Sequence, residues 1–233
     1  MYIKQFFEPK SATYSYFLMC PYSKEAIIID PVQCDLDKYL AEVKEHNANL
    51  QYIFETHIHA DHITASDRLR ISTQAKSVVH KNAGVECADI FMTDGCEFRF
   101  GEQCIKALAT PGHTSACTSY YVKGYVFTGD TLLIGGCGRT DFQGGSAEHL
   151  YESVYNKLFT LPDETIVYPA HDYKGNLSSS IGHEKKYNLR LALGISKAQF
   201  INIMDHLDLA YPAQIDQALP ANKLCGKSPR DYH

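Results

Sequence analysis

The chain has 233 residues, enough for one large domain or two small ones with a substantial core. Hydrophobic residues make up 45%, which excludes a disordered chain. A net charge of −5, from 22 basic and 27 acidic residues not blocked into runs, gives no sign of a nucleic-acid or membrane-surface partner. No stretch approaches the ~18 apolar residues of a membrane span. The first residues carry neither the apolar run of a signal peptide nor the Arg-rich pattern of a transit peptide, so the expected compartment is the cytoplasm.

In chain order, Thr13 to Met19 and Ala26 to Asp30 read as strands, the second closed by Asp30-Pro31. Leu36, Tyr39, Leu40 and Val43 recur at helical spacing, which predicts an amphipathic helix over Asp35 to His46 with Asp35 as its N-cap. Leu50 to Glu55 returns to strand, and the polar, histidine-dense Thr56 to His62 is a loop at its carboxyl end. Ser77 to His80, Gln103 to Leu108, Thr118 to Val122 and Tyr125 to Thr128 are further strands, the last two joined in a hairpin by Lys123-Gly124. Leu150, Val154 and Leu158 mark a helix from Ala147 to Leu158, and Thr165 to Tyr168 is a last strand stopped by Pro169. Helices are expected around His183 to Leu193 and Lys197 to Leu207, followed by a Pro-rich, irregular tail. With no repeat and no low-complexity linker, the organisation expected is a core over residues 1–175 and a C-terminal helical extension of the same domain over 176–233.

Eight cysteines are scattered at positions 20, 34, 87, 96, 104, 117, 137 and 225, none in a C-x-x-C pair, so a zinc ribbon or thioredoxin-type motif is excluded. In a chain of this length without a secretion signal they are expected to be reduced thiols filling core space.

The chemistry concentrates in four places. Thr56-His57-Ile58-His59-Ala60-Asp61-His62 packs four potential metal ligands into six positions, and extended backbone would put His57 and His59 on one side. His113 lies in Thr110-Pro111-Gly112-His113-Thr114, Asp130 in Phe127-Thr128-Gly129-Asp130-Thr131, and His171 in Tyr168-Pro169-Ala170-His171-Asp172. Each follows an apolar strand, and strand ends are where sites assemble. His46, His80, His149, His183, His206 and His233 have no such context and read as ordinary residues.

The run H-x-H-x-D-H, then P-G-H-T, T-G-D and P-A-H-D, resembles the signature of the metallo-β-lactamase superfamily over about residues 13 to 175. That resemblance implies an α/β fold, an αββα sandwich of two mixed β-sheets flanked by helices. Within the superfamily, Gly136-Cys137-Gly138-Arg139-Thr140-Asp141-Phe142-Gln143 resembles the persulfide dioxygenases, as do Pro169 to Tyr173, Asn188 to Leu191 and Pro220 to Gly226. Leu189 departs from that family's usual proline, which is expected to adjust a turn and not the chemistry.

The persulfide-dioxygenase resemblance implies oxidation of glutathione persulfide by O2 to sulfite and glutathione at one non-haem Fe(II). The implied ligands are His57, His113 and Asp130, a facial triad with open positions. A homodimer is implied as well. The ligand pattern leaves a second arrangement open, in which His59, Asp61, His62 and His171 complete a site for two Zn(2+), as in glyoxalase-II-like thioesterases. A catalytically silent metal- or persulfide-binding protein is the third reading. Arg139, Tyr173 and Arg190 are candidate glutathione contacts, Arg139 having a surface ion pair with Asp141 as its alternative. Cys137 is expected to be structural, and Cys225 has no assigned role.

Overall fold

The computed structural model describes residues 1–227. In chain order its strands are β1 (Tyr2–Glu8), β2 (Thr13–Met19), β3 (Glu25–Ile29), β4 (Asn49–Phe54), β5 (Lys76–His80), β6 (Ile90–Met92), β7 (Glu97–Phe100), β8 (Gln103–Ala109), β9 (Thr118–Val122), β10 (Tyr125–Gly129), β11 (Ile166–Pro169) and β12 (Ser179–Ser180). The helices are α1 (Leu36–Glu45), α2 (Ser66–Thr73), α3 (Ala147–Ser153), α4 (Ile181–Tyr187), α5 (Lys197–Asp205) and α6 (Ile215–Asn222). None of them is long and apolar enough to cross a membrane. His233 and the end of the predicted irregular tail lie outside the described residues.

The strands form two mixed six-stranded sheets, ordered β1-β2-β3-β4-β5-β6 and β12-β11-β10-β9-β8-β7. In the first, β1, β2 and β3 are antiparallel, and β3 to β6 run parallel. Parallel strands are covered on both faces, which is why Ala26–Ile29 and Val78–His80 are continuous buried runs without alternation. In the second, the predicted Lys123-Gly124 hairpin pairs β9 with β10, and β10 runs parallel to β11.

The described residues cluster into two compact units, one of residues 1–92, 97–105 and 211–227, the other of Thr93–Cys96 and Lys106–Ala210. The first unit buries Phe17, Ile28, Tyr39, Ile53 and Leu69. The second buries Val126, Leu150, Val154, Leu158, Val167, Leu191 and Phe200. The helical stripe read at Leu150, Val154 and Leu158 is therefore a core face, with α3 continuing through a π turn over Val154–Leu158.

Four expectations are corrected. Asp35 precedes α1 but does not cap it, because its carboxylate reaches the Lys38 ammonium at 2.7 Å. The helix expected to run on to Leu193 ends at Tyr187. Asn188 turns its side chain back to accept from the Arg190 and Leu191 N–H groups and to donate to Gly136 O and Glu184. The expected irregular tail contains a helix: α6 forms there despite Pro220, burying Ile215, Ala218, Ala221 and Asn222. Cys87 and Cys225 form a disulfide where reduced thiols were expected, 138 residues apart in sequence. Six other cysteines stay free; burial pushes Cys117 up to about 12 and Cys137 up to about 11, thiols without nucleophilic character.

Leu189 shows what replaces proline there, since its N–H donates to Gly135 O at 3.4 Å, a bond that proline could not make.

Candidate metal centre

The first unit supplies the histidine-rich turn. β4 ends at Phe54, and the turn that follows buries His57, His59 and His62, with their rings 4.1 and 4.3 Å apart in succession. Its scaffold is Asp30, held at φ 51° just after β3. The Asp30 carboxylate accepts from Thr56 N at 2.7 Å and from Thr56 Oγ1 at 2.8 Å. A hydroxyl that donates to Asp30 can only accept from His57 Nδ1, 3.0 Å away. This places the ring hydrogen on Nδ1 and the lone pair on Nε2, the tautomer needed for a metal ligand.

His59 is almost wholly buried, 3.1 Å from Asp30 Oδ1 and 3.5 Å from Glu55 Oε2, yet neither ring nitrogen is aligned for a hydrogen bond. Burial disfavours its cation, but the nearby Asp30, Asp61 and Glu55 carboxylates outweigh that and push it up to about 10. Burial also raises the Glu55 carboxyl, which accepts from Thr64 and Ser66 hydroxyls. His62 Nδ1 lies 3.1 Å from Asp61 Oδ2. One ligand atom from each of His59, Asp61 and His62 lies within 4.8 Å of the others, as do those of Asp30, Glu55 and His59.

The second unit supplies His113, Asp130 and His171. Thr131 Oγ1 lies 3.1 Å from both Thr110 O and Thr110 Oγ1, which ties the P-G-H-T and T-G-D loops together. Ala170 N donates to Gly129 O and brings the His171 loop alongside. His113 Nδ1 donates to Arg139 O at 2.6 Å, so Nε2 carries the lone pair, and it faces Asp130 Oδ2 at 3.5 Å. His171 Nε2 lies 3.6 Å from Asp130 Oδ1, a buried oxygen without a hydrogen-bond partner.

Two acceptors facing each other at that distance repel unless a cation lies near them. Ligand atoms ~2.1 Å from a metal are about 3.0 Å apart at a right angle and about 3.4 Å apart at a tetrahedral angle. The donor set and its spacing fit a metal ion.

Gly138, from the G-C-G-R-T-D-F-Q segment, is part of this scaffold. Its N–H donates to Asp130 O at 2.8 Å, and a Cβ on it would lie 2.6 Å from that oxygen and 2.9 Å from His113 Nδ1. Only glycine lets the segment approach both side chains this closely.

The seven metal-ligand candidates thus fall into two groups, His57, His59, Asp61 and His62 in one unit and His113, Asp130 and His171 in the other. The candidate substrate contacts are placed differently. Arg139 Nε and Nη2 donate to Asp141 at 2.6 Å, Nη1 donates to Ala210 O, and the guanidinium lies over Phe142. Arg190 Nη1 donates to Cys137 O. Tyr173 is exposed, its ring stacked 6.1 Å from that of His171. The sequence reading missed Asp30, Glu55, Asn222 and the role of Gly138. The first had a signal, since an acid closing a buried strand before proline is a turn-forming, site-forming position.

Two strand-end donor sets of histidine and carboxylate mark a metal-dependent protein. Residues 11–171 match the metallo-beta-lactamase superfamily. Over 227 residues, 96% of the chain and 88% of the relative, it is 46% identical to the mitochondrial persulfide dioxygenase ETHE1 of Bos taurus. The Homo sapiens enzyme is 44% identical over the same shares. The crystal structure of ETHE1 from Myxococcus xanthus superposes with a TM-score of 0.95 at 48% identity, covering 97% of this chain and all of that one. The chain therefore belongs to the metallo-β-lactamase superfamily and, within it, to the persulfide dioxygenase family, and its αββα fold class is that of the superfamily.

Proposed function

We propose that the protein is a persulfide dioxygenase that oxidises glutathione persulfide with O2 and water to glutathione and sulfite, using one Fe(II) held by His57, His113 and Asp130. The observation that carries this reading is 44–48% identity to persulfide dioxygenases along nearly the whole chain. The donor chemistry supports it, since two imidazoles and a carboxylate are the facial triad of non-haem iron oxygenases. Iron would supply a redox change, which zinc does not offer for oxygen chemistry, and open coordination positions beside the three protein ligands.

The chain's own part is positioning. Asp30 acting through Thr56, and the Arg139 carbonyl acting directly, fix the tautomers of His57 and His113. Asp130 carries the negative charge that a divalent ion requires. Arg139, Arg190 and Tyr173 are the proposed contacts for the substrate's carboxylates, with a homodimer as the assembly.

The second cluster, His59, Asp61 and His62, is the observation that keeps a two-metal thioesterase as the competing reading. Oxygen consumption by iron-loaded protein given glutathione persulfide, with sulfite appearing in step, is the expected result. Hydrolysis of S-lactoylglutathione without oxygen uptake, with two zinc ions per chain, would overturn it.

A further inference from the structure

The histidine turn is held from a place remote in sequence. Asn222, at the end of α6 and 3% exposed, makes three hydrogen bonds to it. Its Oδ1 accepts from Thr64 N at 2.9 Å, and its Nδ2 donates to His59 O and His62 O, both at 2.8 Å. These bonds use both the acceptor and the two donors that an asparagine amide has.

Residues just beyond it press on the same turn. Asp67 N donates to Cys225 O, Gln33 Nε2 donates to Gly226 O, and a Cβ on Gly226 would lie 2.1 Å from Thr64 O. Cys225 packs with Ile58, Val79 and Val85 in a small buried cluster. Asn222, Cys225, His57 and His59 all line one small pocket. The disulfide ties this segment to Cys87, whose carbonyl accepts from Arg70 while Arg70 and Ser77 hold Asp89 beside it.

We propose that residues 222–226 are a clasp on the ligand turn, with Asn222 as its positioning residue and the Cys87–Cys225 disulfide as its fastening, so that order in the turn responds to thiol reductants. Without the disulfide, α6 is a two-turn helix with a proline in it, held by its short buried face and by the turn it orders. Opening needs two equivalents of a low-molecular-weight thiol. A first thiolate attacks the sulfur of Cys87, the less buried partner, and Cys225 leaves as a thiolate that takes a proton from water. A second thiolate attacks the resulting mixed disulfide, which frees Cys87 and yields the small-molecule disulfide, so two electrons pass to the protein. An aliphatic thiol is also the product class of the proposed reaction. The link to metal rests on that reading; the order of the turn itself does not.

The test is amide hydrogen exchange at Thr64 in metal-free full-length protein, with Leu18 in β2 as the core reference. Asn222→Ala is expected to speed Thr64 exchange about tenfold or more with Leu18 unchanged. Asn222→Asp keeps the acceptor for Thr64 N but loses both donors, and is expected to fall between. Tris(2-carboxyethyl)phosphine treatment of wild type, and Cys225→Ser without it, should each speed Thr64 exchange several-fold, with no further effect of reductant on Cys225→Ser. In iron(II)-loaded protein, release to a chelator should accelerate in the same order.

Wild-type Thr64 exchange in Asn222→Ala overturns the positioning role. Unchanged exchange in both reduced wild type and Cys225→Ser overturns the fastening. The reductant arm needs no variant to fold. Faster exchange with unchanged iron release would support the clasp and overturn the ligand assignment of the turn instead.

Discussion

Gly138→Ala tests whether the glycine-rich segment is metal-site scaffold. In the native chain two adjoining residues serve two ligands: Gly138 N donates to Asp130 O, and Arg139 O accepts from His113 Nδ1. An alanine methyl would sit 2.6 Å from Asp130 O and 2.9 Å from both Asp130 Cβ and His113 Nδ1, about 0.8 Å inside ordinary contact at the closest point. Nothing there is the far end of a flexible side chain, so backbone must move. Overpacking of this kind costs about 1–3 kcal/mol, which for a chain of this size lowers Tm by roughly 2–12 °C. Moving the partner that orients a ligand typically costs about 10- to 100-fold in metal affinity.

The assay is thermal unfolding of metal-free protein together with iron affinity by chelator competition. Gly136→Ala is the control, because a Cβ there meets nothing within 4 Å. It should leave both quantities unchanged. A Gly138→Ala protein that matches Gly136→Ala in Tm and iron affinity would refute the reasoning.

The remaining predictions concern the ligands and an anchor of the clasp. His57→Ala, His113→Ala and Asp130→Ala should each abolish stoichiometric iron binding and oxygen uptake together, as elemental analysis and an oxygen electrode would show, because a three-ligand site has no spare donor. Asp89 is held below its ordinary value: burial works against ionisation, but hydrogen bonds from Ser77 N–H and Arg70 outweigh it. A depressed carboxyl stabilises the fold above its unfolded value of about 4 and loses that contribution as pH falls through its lower folded value. Asp89→Asn should therefore lower Tm at neutral pH, with the gap to wild type closing in acid. A gap that stays constant down to pH 2 would contradict this.

The parts of the site that were legible in the sequence are those whose chemistry and backbone context coincide in a short window. His57 to His62 follows the apolar strand β4, and His113, Asp130 and His171 follow β8, β10 and β11, so residue type and strand end could be read together. The strands that escaped notice, β6, β7 and β12, have two to four residues, too few for a period to show. β1 has seven residues, but Tyr2-Ile3-Lys4-Gln5-Phe6-Phe7-Glu8 does not alternate, because an edge strand is specified mainly by its pairing with β2.

The positions that hold the ligands were harder to see, for a different reason. Asp30 is an acid in a strand-end turn, Gly138 a glycine among glycines, and Asn222 an amide in a stretch whose two prolines, Pro212 and Pro220, suggested irregular chain. None advertises a partner locally. Each acts across the fold: Asp30 on Thr56, Gly138 on Asp130 and His113, and Asn222 on a turn about 160 residues earlier. α6 illustrates the point. Its buried face is Ile215, Ala218, Ala221 and Asn222, a stripe with one large apolar side chain, two alanines and a polar amide. Such a helix has little intrinsic reason to form. What fixes it is what it touches: the amide bonds to His59, His62 and Thr64, the Gly226 approach to Thr64, and the covalent tie to Cys87. The dependence runs both ways, since a helix ordered by the ligand turn must in turn restrain it, and a change in either is transmitted to the other.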